Sequence, residues 1–290
     1  MRYSIKLHVY VAGYNMQNEI NNTLFSILDY QKKSWVDFRV TVLDNGSCPP
    51  MKIKRIDNRV DVRYIENASK SPLGALNVLI AEGQSEFICV VLDGARLWSP
   101  GVLRQFYNSV SQDKSSPSTV TAYHLGPVHQ SLSLDFGYDK AAEILMLETL
   151  NWRGNGYSLF DASVLAGSNP DGEKGQMNES CCLFLERSLW NKIGGFNENF
   201  TSIGGGFGTL DLFNRLMLET KGQINVLAGE GCFHQIHGGI STSSNPPFKE
   251  WENEYTLING KAYTKPIVNP VMINSNFLKS AGQWIRHFCS

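Results

Sequence analysis

Between Phe87 and Leu92 every side chain is apolar, and the run ends abruptly at Asp93-Gly94-Ala95-Arg96. It is far too short to cross a bilayer. A strand apolar at every position must be covered on both faces, which points to a sheet with helices packed on each side. The carboxylate that ends such a strand sits at the rim of the sheet. There it needs a partner, such as a cation, a donor or Arg96.

The segments before this run fit the same plan. Ile5, Leu7, Val9 and Val11 alternate with polar or amphipathic residues, the period of a strand, and lead into a loop at Ala12-Gly13-Tyr14-Asn15. Ile20, Leu24, Ile27 and Leu28 recur at helical spacing. A strand through Phe38, Val40 and Val42 ends in Asp44-Asn45-Gly46-Ser47, which is strong turn chemistry. Val60, Val62 and Tyr64 predict a third strand, and Ala75, Leu76, Leu79 and Ile80 a helix. Strands separated by helices imply parallel βαβ units with right-handed crossovers, and such sheets bind ligands beyond the carboxyl ends of their strands. Asn15, Asp44, Asn67 and Asp93 would share that edge.

The second half is less regular. A polar break covers 111–118, a helix is expected around 141–150, and an irregular stretch rich in Gly, Asn and Ser runs from 154 to 178. Cys182 to Leu185 reads as a short buried strand and Ser188 to Ile193 as a short helix ending at Gly194-Gly195. The glycine-rich run 204–208 leads into a helix striped by Leu210, Phe213 and Met217, with Gly222 as its stop. Ile224 to Leu227 is expected as a strand. With no repeat and no linker, the organisation expected is one domain over 1–245, with a nucleotide-binding half at 1–110 and an acceptor-side half at 111–245. A tail at 246–290 packs on it.

The 290 residues carry a formal net charge of −1, so there is no basic footprint for nucleic acid. The N-terminal segment alternates instead of forming a signal-peptide core, no stretch reads as transmembrane, and the six cysteines form no CxxC pair. A cytoplasmic, reduced protein is expected.

Neither GxGxxG nor GxxxxGK[ST] occurs, which disfavours dehydrogenases and P-loop enzymes. A bound diphosphate would therefore need a metal or cationic side chains. His234 and His237, three apart and followed by Gly238-Gly239, can direct imidazole nitrogens at a metal or phosphate. Taken singly, each histidine is more often structural; the pair, next to glycines on an expected loop, makes the structural and functional readings equal. Asp211 falls in the first turn of its helix, four residues before Arg215, so a surface ion pair is its simplest reading. Glu179, just ahead of a buried strand, is the other carboxylate expected near the chemistry.

Together these residues resemble family-2 glycosyltransferases over roughly residues 4 to 240. Val9 to Asn15 with Glu19 is similar to the family's opening strand and Tyr-Asn-x-x-x-Glu, and Asp44-Asn45-Gly46-Ser47 to its nucleobase-binding turn. Asp93-Gly94-Ala95 resembles the Asp-x-Asp motif, and Gly194-Gly195-Phe196-Asn197-Glu198 the Gly-Gly-Phe-Asp-Glu motif. Ala95 replaces the second Asp, and Gly208-Thr209 falls where the family has the Glu-Asp that carries its base. The resemblance implies an α/β fold of the GT-A type, with a mixed, mainly parallel sheet and helices on both faces. It also implies a nucleotide-diphospho-sugar donor, a glycan or other hydroxyl acceptor, and hexosyltransferase-like inverting chemistry. Ala12, Tyr14, Asn15, Glu19, Asp44, Asn67, Asp93, Gly94 and Ala95 would bind the donor. Asp93 with His234 or His237 would hold Mn²⁺ or Mg²⁺, and Asp211, or else Glu179, would be the general base. The competing class is a sugar-nucleotide or glycan-binding module that has lost catalysis, motivated by Ala95 and Thr209.

Overall fold

A computed structural model describes residues 5–33, 36–54, 57–243 and 245–273. The strands in chain order are β1 (Ile5–Gly13), β2 (Val36–Asp44), β3 (Val60–Tyr64), β4 (Phe87–Val91), β5 (Arg96–Trp98), β6 (Ser118–Leu125), β7 (Ser163–Leu165), β8 (Leu183–Glu186), β9 (Gln223–His234) and β10 (Asn269–Ile273). The helices are α1 (Gln17–Asp29), α2 (Leu73–Glu82), α3 (Val102–Gln112), α4 (Gln130–Ser133), α5 (Lys140–Thr149), α6 (Arg187–Ile193), α7 (Gly208–Glu219) and α8 (Phe248–Asn259).

One sheet runs in the order β10-β9-β6-β8-β4-β1-β2-β3, with β5 paired to β9 and β7 to β6. β3, β2, β1 and β4 are mutually parallel. β8 runs antiparallel to both β4 and β6, and β6, β9 and β10 are parallel again. β1 has β2 on one side and β4 on the other, so the strand order reverses at β1. A crevice opens beyond the carboxyl ends of strands at such a point.

β4 is apolar throughout because its two faces meet two cores. Phe87, Cys89 and Val91 pack with Leu7, Val9, Ile20, Leu24, Leu103 and Phe106, on the side of α1 and α3. Ile88 and Val90 pack with Tyr10, Leu76, Ile80, Trp190, Phe213 and Leu216, on the side of α2, α6 and α7. The fold is therefore α/β, with a mixed sheet and helices on both faces.

Three expectations for the second half are corrected. The polar break at 111–118 is followed by a long buried strand, β6, whose Ser and Thr residues hide its period. The strand expected at Ile224–Leu227 continues to His234, so His234 ends a strand and does not lie on a loop. The stretch 154–178 contains 3₁₀ turns and the short β7. From 246 onward the chain supplies α8 and the edge strand β10, while residues 274–290 of the expected tail lie outside the described residues. No described helix is long and apolar enough to cross a membrane.

Candidate active site

The loops after β1, β2 and β3 form a cleft of about 780 Å³ with the segments around Gly204 and His237–Ile240. Among the residues expected to bind a donor, Ala12, Tyr14, Asn15 and Asn67 line it. Tyr14 is 56% exposed. Asn15 adopts a left-handed conformation (φ 54°), which asparagine tolerates better than most residues. Its amide donates to Ser47 Oγ (2.8 Å), and its Oδ1 accepts from the Cys48 amide (3.1 Å). The first two loops are thereby locked together. On the opposite wall, the Gly204 amide donates to the Lys70 carbonyl (3.0 Å).

Asp44 does not line the cleft. It is fully buried, its two oxygens accepting from the Ser47 amide (3.0 Å) and the Met51 amide (2.7 Å). The expectation of a nucleobase contact is corrected here: the carboxylate holds the turn from beneath, and Asn45 and Gly46 face the cleft. Glu19 is also buried, paired with Lys140 behind the histidine loop. Ala95 is wholly inside the core, so it presents nothing to a ligand. Gly94 is confined to the backbone of its turn. A Cβ there would stand 3.0 Å from the Ala12 carbonyl oxygen and 3.1 Å from the end of Ile20.

Asp211 requires a further correction. It is buried at 3% exposure, and its Oδ2 accepts from Arg215 Nε (2.8 Å) and lies 2.8 Å from Nη2 in an ion pair. The Arg215 guanidinium continues to the carbonyls of Ile193 and Gly195. Asn77 clamps the same Gly-Gly-Phe turn, accepting from the Phe196 amide (3.0 Å) and donating to its carbonyl (2.9 Å). Asp211 thus joins α7 to the turn after α6 and is withdrawn from the cleft.

Asp93, His234 and His237 do converge. Asp93 Oδ1 accepts from the Ala95 amide (3.0 Å), which turns Oδ2 toward His234 Nε2 (2.5 Å) and His237 Nε2 (3.4 Å). The two Nε2 atoms are 3.1 Å apart. Gln130 sets the protonation of His234: its Nε2 donates to the His234 carbonyl (2.9 Å), so its Oε1 must accept the proton of His234 Nδ1. His234 Nε2 is then a bare lone pair facing a carboxylate oxygen. Acceptors aimed at one another require positive charge between them, a proton or a metal ion. The three ligand atoms all lie within 4.8 Å of one another.

The electrostatics follow from this packing. Burial pushes the Asp93 carboxyl up, but His237 and His234 outweigh it and hold it well below the usual carboxylate range. Burial, aided by the Arg96 guanidinium, pushes His234 down to about 4. For His237, burial acts downward, yet the Asp93 carboxylate wins and raises it. Arg96 lies opposite His234 across β5 and β9, with Nε 3.5 Å from Asp93 Oδ2. Glu179 also feels Arg96 and Asp93, and burial raises its carboxyl. Thr209 Oγ1 donates to Glu179 Oε2 at 3.4 Å.

The supporting residues Gln130, Glu143 and Gln235 were not legible beforehand. Gln235 binds the Ala95 carbonyl through its amide (2.8 Å) and the Glu19 carbonyl through its side chain (3.2 Å). Glu143 accepts from the Ile236 amide (3.0 Å) between the two histidines. Each is a long-range contact with no local sequence signal.

No family model and no curated protein matches this sequence. Solved structures do. The chain is similar to S. aureus TarS, with 15% identity and a TM-score of 0.50 over 90% of this chain and 41% of that one. Against TarS residues 1–349 in complex with UDP-GlcNAc the values are 16% and 0.50, over 90% of this chain and 68% of that one. The fold is of the GT-A type. The chain spans 60% of another crystal structure of TarS 1–349 and less than half of the longer TarS structure.

Proposed function

We propose that the chain is a glycosyltransferase that moves a sugar from a nucleotide-diphospho-sugar to a hydroxyl acceptor with inversion. The observation that carries this reading is the meeting of Asp93, His234 and His237, the last of which lines the cleft. A fold shared with a protein crystallised with UDP-GlcNAc supports the donor class. Tyr14, Asn15, Asn45, Gly46 and Asn67 would take the nucleoside end of the cleft.

Asp93, His234 and His237 fit a divalent cation, because their three possible ligand atoms converge and Gln130 fixes the tautomer of His234, as an outer partner of a metal ligand does. Mn²⁺ or Mg²⁺ bound there would neutralise the departing diphosphate. With one carboxylate instead of two, and Arg96 against it, the site has weak affinity until diphosphate oxygens add ligands.

Glu179 is the general base in this reading. Thr209 stands at the start of α7, where the resemblance puts an acid, and its hydroxyl donates to Glu179. Burial raises the Glu179 carboxyl, which makes it a stronger base, while the Arg96 guanidinium favours its ionised form. Glu179 removes the acceptor proton, and the hydroxyl oxygen bonds to the anomeric carbon. The bond to the diphosphate breaks with its electron pair on the leaving oxygen.

The test is nucleotide release from UDP-GlcNAc, UDP-glucose, UDP-galactose and GDP-mannose by the purified chain with Mn²⁺, with Glu179→Gln in parallel. We expect release from at least one donor, and its loss in the variant without loss of nucleotide binding. Absence of release from all four, or an unimpaired variant, contradicts the reading.

A further inference from the structure

Beside the cleft lies a second cavity, of about 310 Å³. Asn45, Asn67, Ala68 and Ser69 line both, so residues 67–69 form a common wall. None of Asp93, Glu179, His234 and His237 lines the second cavity, which sets it apart from the chemistry proposed above. Its volume is at the lower end for small-molecule sites, which suits a small ligand. Gly74 and Ala75 bring the first turn of α2 into its lining. Pro72, which precedes α2, makes no side-chain cap, and the Leu76 amide already donates to the Pro72 carbonyl (2.9 Å). The amides of Leu73, Gly74 and Ala75 therefore have no acceptor within the helix.

Ser71 lines the same cavity at 7% exposure, and its hydroxyl has no hydrogen-bond partner among the described residues. An unpaired buried hydroxyl has a cost that a ligand's polar group removes. With the first-turn amides it makes a donor pole. The acceptor pole is Glu198. One of its oxygens accepts from Asn77 Nδ2 (2.9 Å), and the other lies over Gly74, where a Cβ would stand 3.4 Å from it. A ligand carrying only a negative group meets this carboxylate, and one carrying only a positive group meets the positive end of the helix. A zwitterion with its two charges on neighbouring groups satisfies both poles. Ile65 and Ala68 leave part of the wall apolar, for a hydrocarbon side chain.

We propose that this cavity is a binding site for a free α-amino acid, its carboxylate on Ser71 and the first turn of α2 and its ammonium on Glu198. The side chain is small and lies against Ile65, Ala68 and Ala75. The site does not depend on the reading of the neighbouring cleft as a nucleotide-sugar site.

The experiment titrates glycine, alanine, serine, valine and leucine into the full chain by calorimetry, with acetate and ethylamine as carriers of one charge each. At least one amino acid should bind about tenfold more tightly than either single-charge compound. Ser71→Ala should weaken it by about tenfold, the scale of a hydrogen bond to a charged group. Glu198→Gln, which keeps an acceptor for Asn77, should weaken it by at least as much. Acetate should bind Glu198→Gln no more weakly than the parent, because it has no ammonium to lose. In urea, Ser71→Ala should be at least as stable as the parent, since the hydroxyl it removes is unpaired. Binding by none of these amino acids, acetate binding as tightly as they do, or either variant binding them as the parent does overturns the proposal. A Ser71→Ala chain less stable than the parent overturns it as well, because the hydroxyl would then be bonded in the empty protein.

Discussion

Two turns at the same edge of the sheet, after β2 and after β4, carry the same kind of sequence, an Asp followed within two residues by Gly. Their carboxylates have opposite fates. Asp44 is enclosed, with both oxygens bound to amides of its own turn. Asp93 gives one oxygen to its own turn and aims the other at two imidazoles and a guanidinium from β5, β9 and the loop beyond. A turn that satisfies its own carboxylate is scaffold, whereas one that satisfies half of it leaves a charge for chemistry. The pair Asp211 and Glu179 repeats the contrast. Asp211 is buried against Arg215, while Glu179 is half-buried and, among the described residues, accepts a long bond from Thr209.

Exchanging these carboxylates separates the two classes. The largest effect is expected from Asp93→Ala, with a loss of nucleotide-sugar turnover of about 10³-fold, equivalent to roughly 4 kcal/mol, and little change in unfolding midpoint. Equal turnover in that variant would merge the two classes.

Asp211→Ala and Asp44→Ala should do the reverse. The first strands the Arg215 guanidinium, and the second strands two amides. Each should cost about 3 kcal/mol in urea unfolding. A folded Asp44→Ala of parental stability with weakened UDP affinity would return Asp44 to the site.

Glu143 tests how far the cost of the site extends into its support. Burial raises its carboxyl from 4.5 to about 7. A folded pKa above the unfolded one means that the native state binds more protons between those values, so stability falls as pH rises through that window. Relative to Glu143→Gln, the parent should lose up to about 3 kcal/mol between pH 4.5 and 7, with no further relative loss above. Parallel stability profiles for parent and variant would show that the carboxyl titrates normally.

The smallest effect belongs to Gln130→Ala, which frees the His234 tautomer. If the proposed cation binds there, Mn²⁺ affinity in the presence of UDP should fall by about ten- to a hundredfold, the scale for outer partners of metal ligands, with UDP affinity alone unchanged. An unchanged Mn²⁺ affinity would show that the imidazole needs no such orientation.

The first half of the sheet was legible because β1, β2 and β4 carry their periods in adjacent residues and end at named turns. β6 was hidden, since Ser118, Thr119 and Thr121 are buried polar residues that break the apolar signal. Asp93 and the two histidines stood out by position, and their meeting depends on a strand extending to His234 that glycines at 229 and 231 concealed. Asp211 was misread because helix position shows where a carboxylate starts and not which way it faces.

The most direct test is calorimetric titration of UDP into the chain with and without Mn²⁺, using the parent and Asp93→Ala side by side. We expect Mn²⁺ to tighten UDP binding to the parent by about tenfold or more, roughly 1.4 kcal/mol, and to leave Asp93→Ala unaffected. UDP affinity that ignores Mn²⁺ in the parent, or responds to it equally in both proteins, would contradict the claim that Asp93 with its two histidines is the diphosphate-facing cation site.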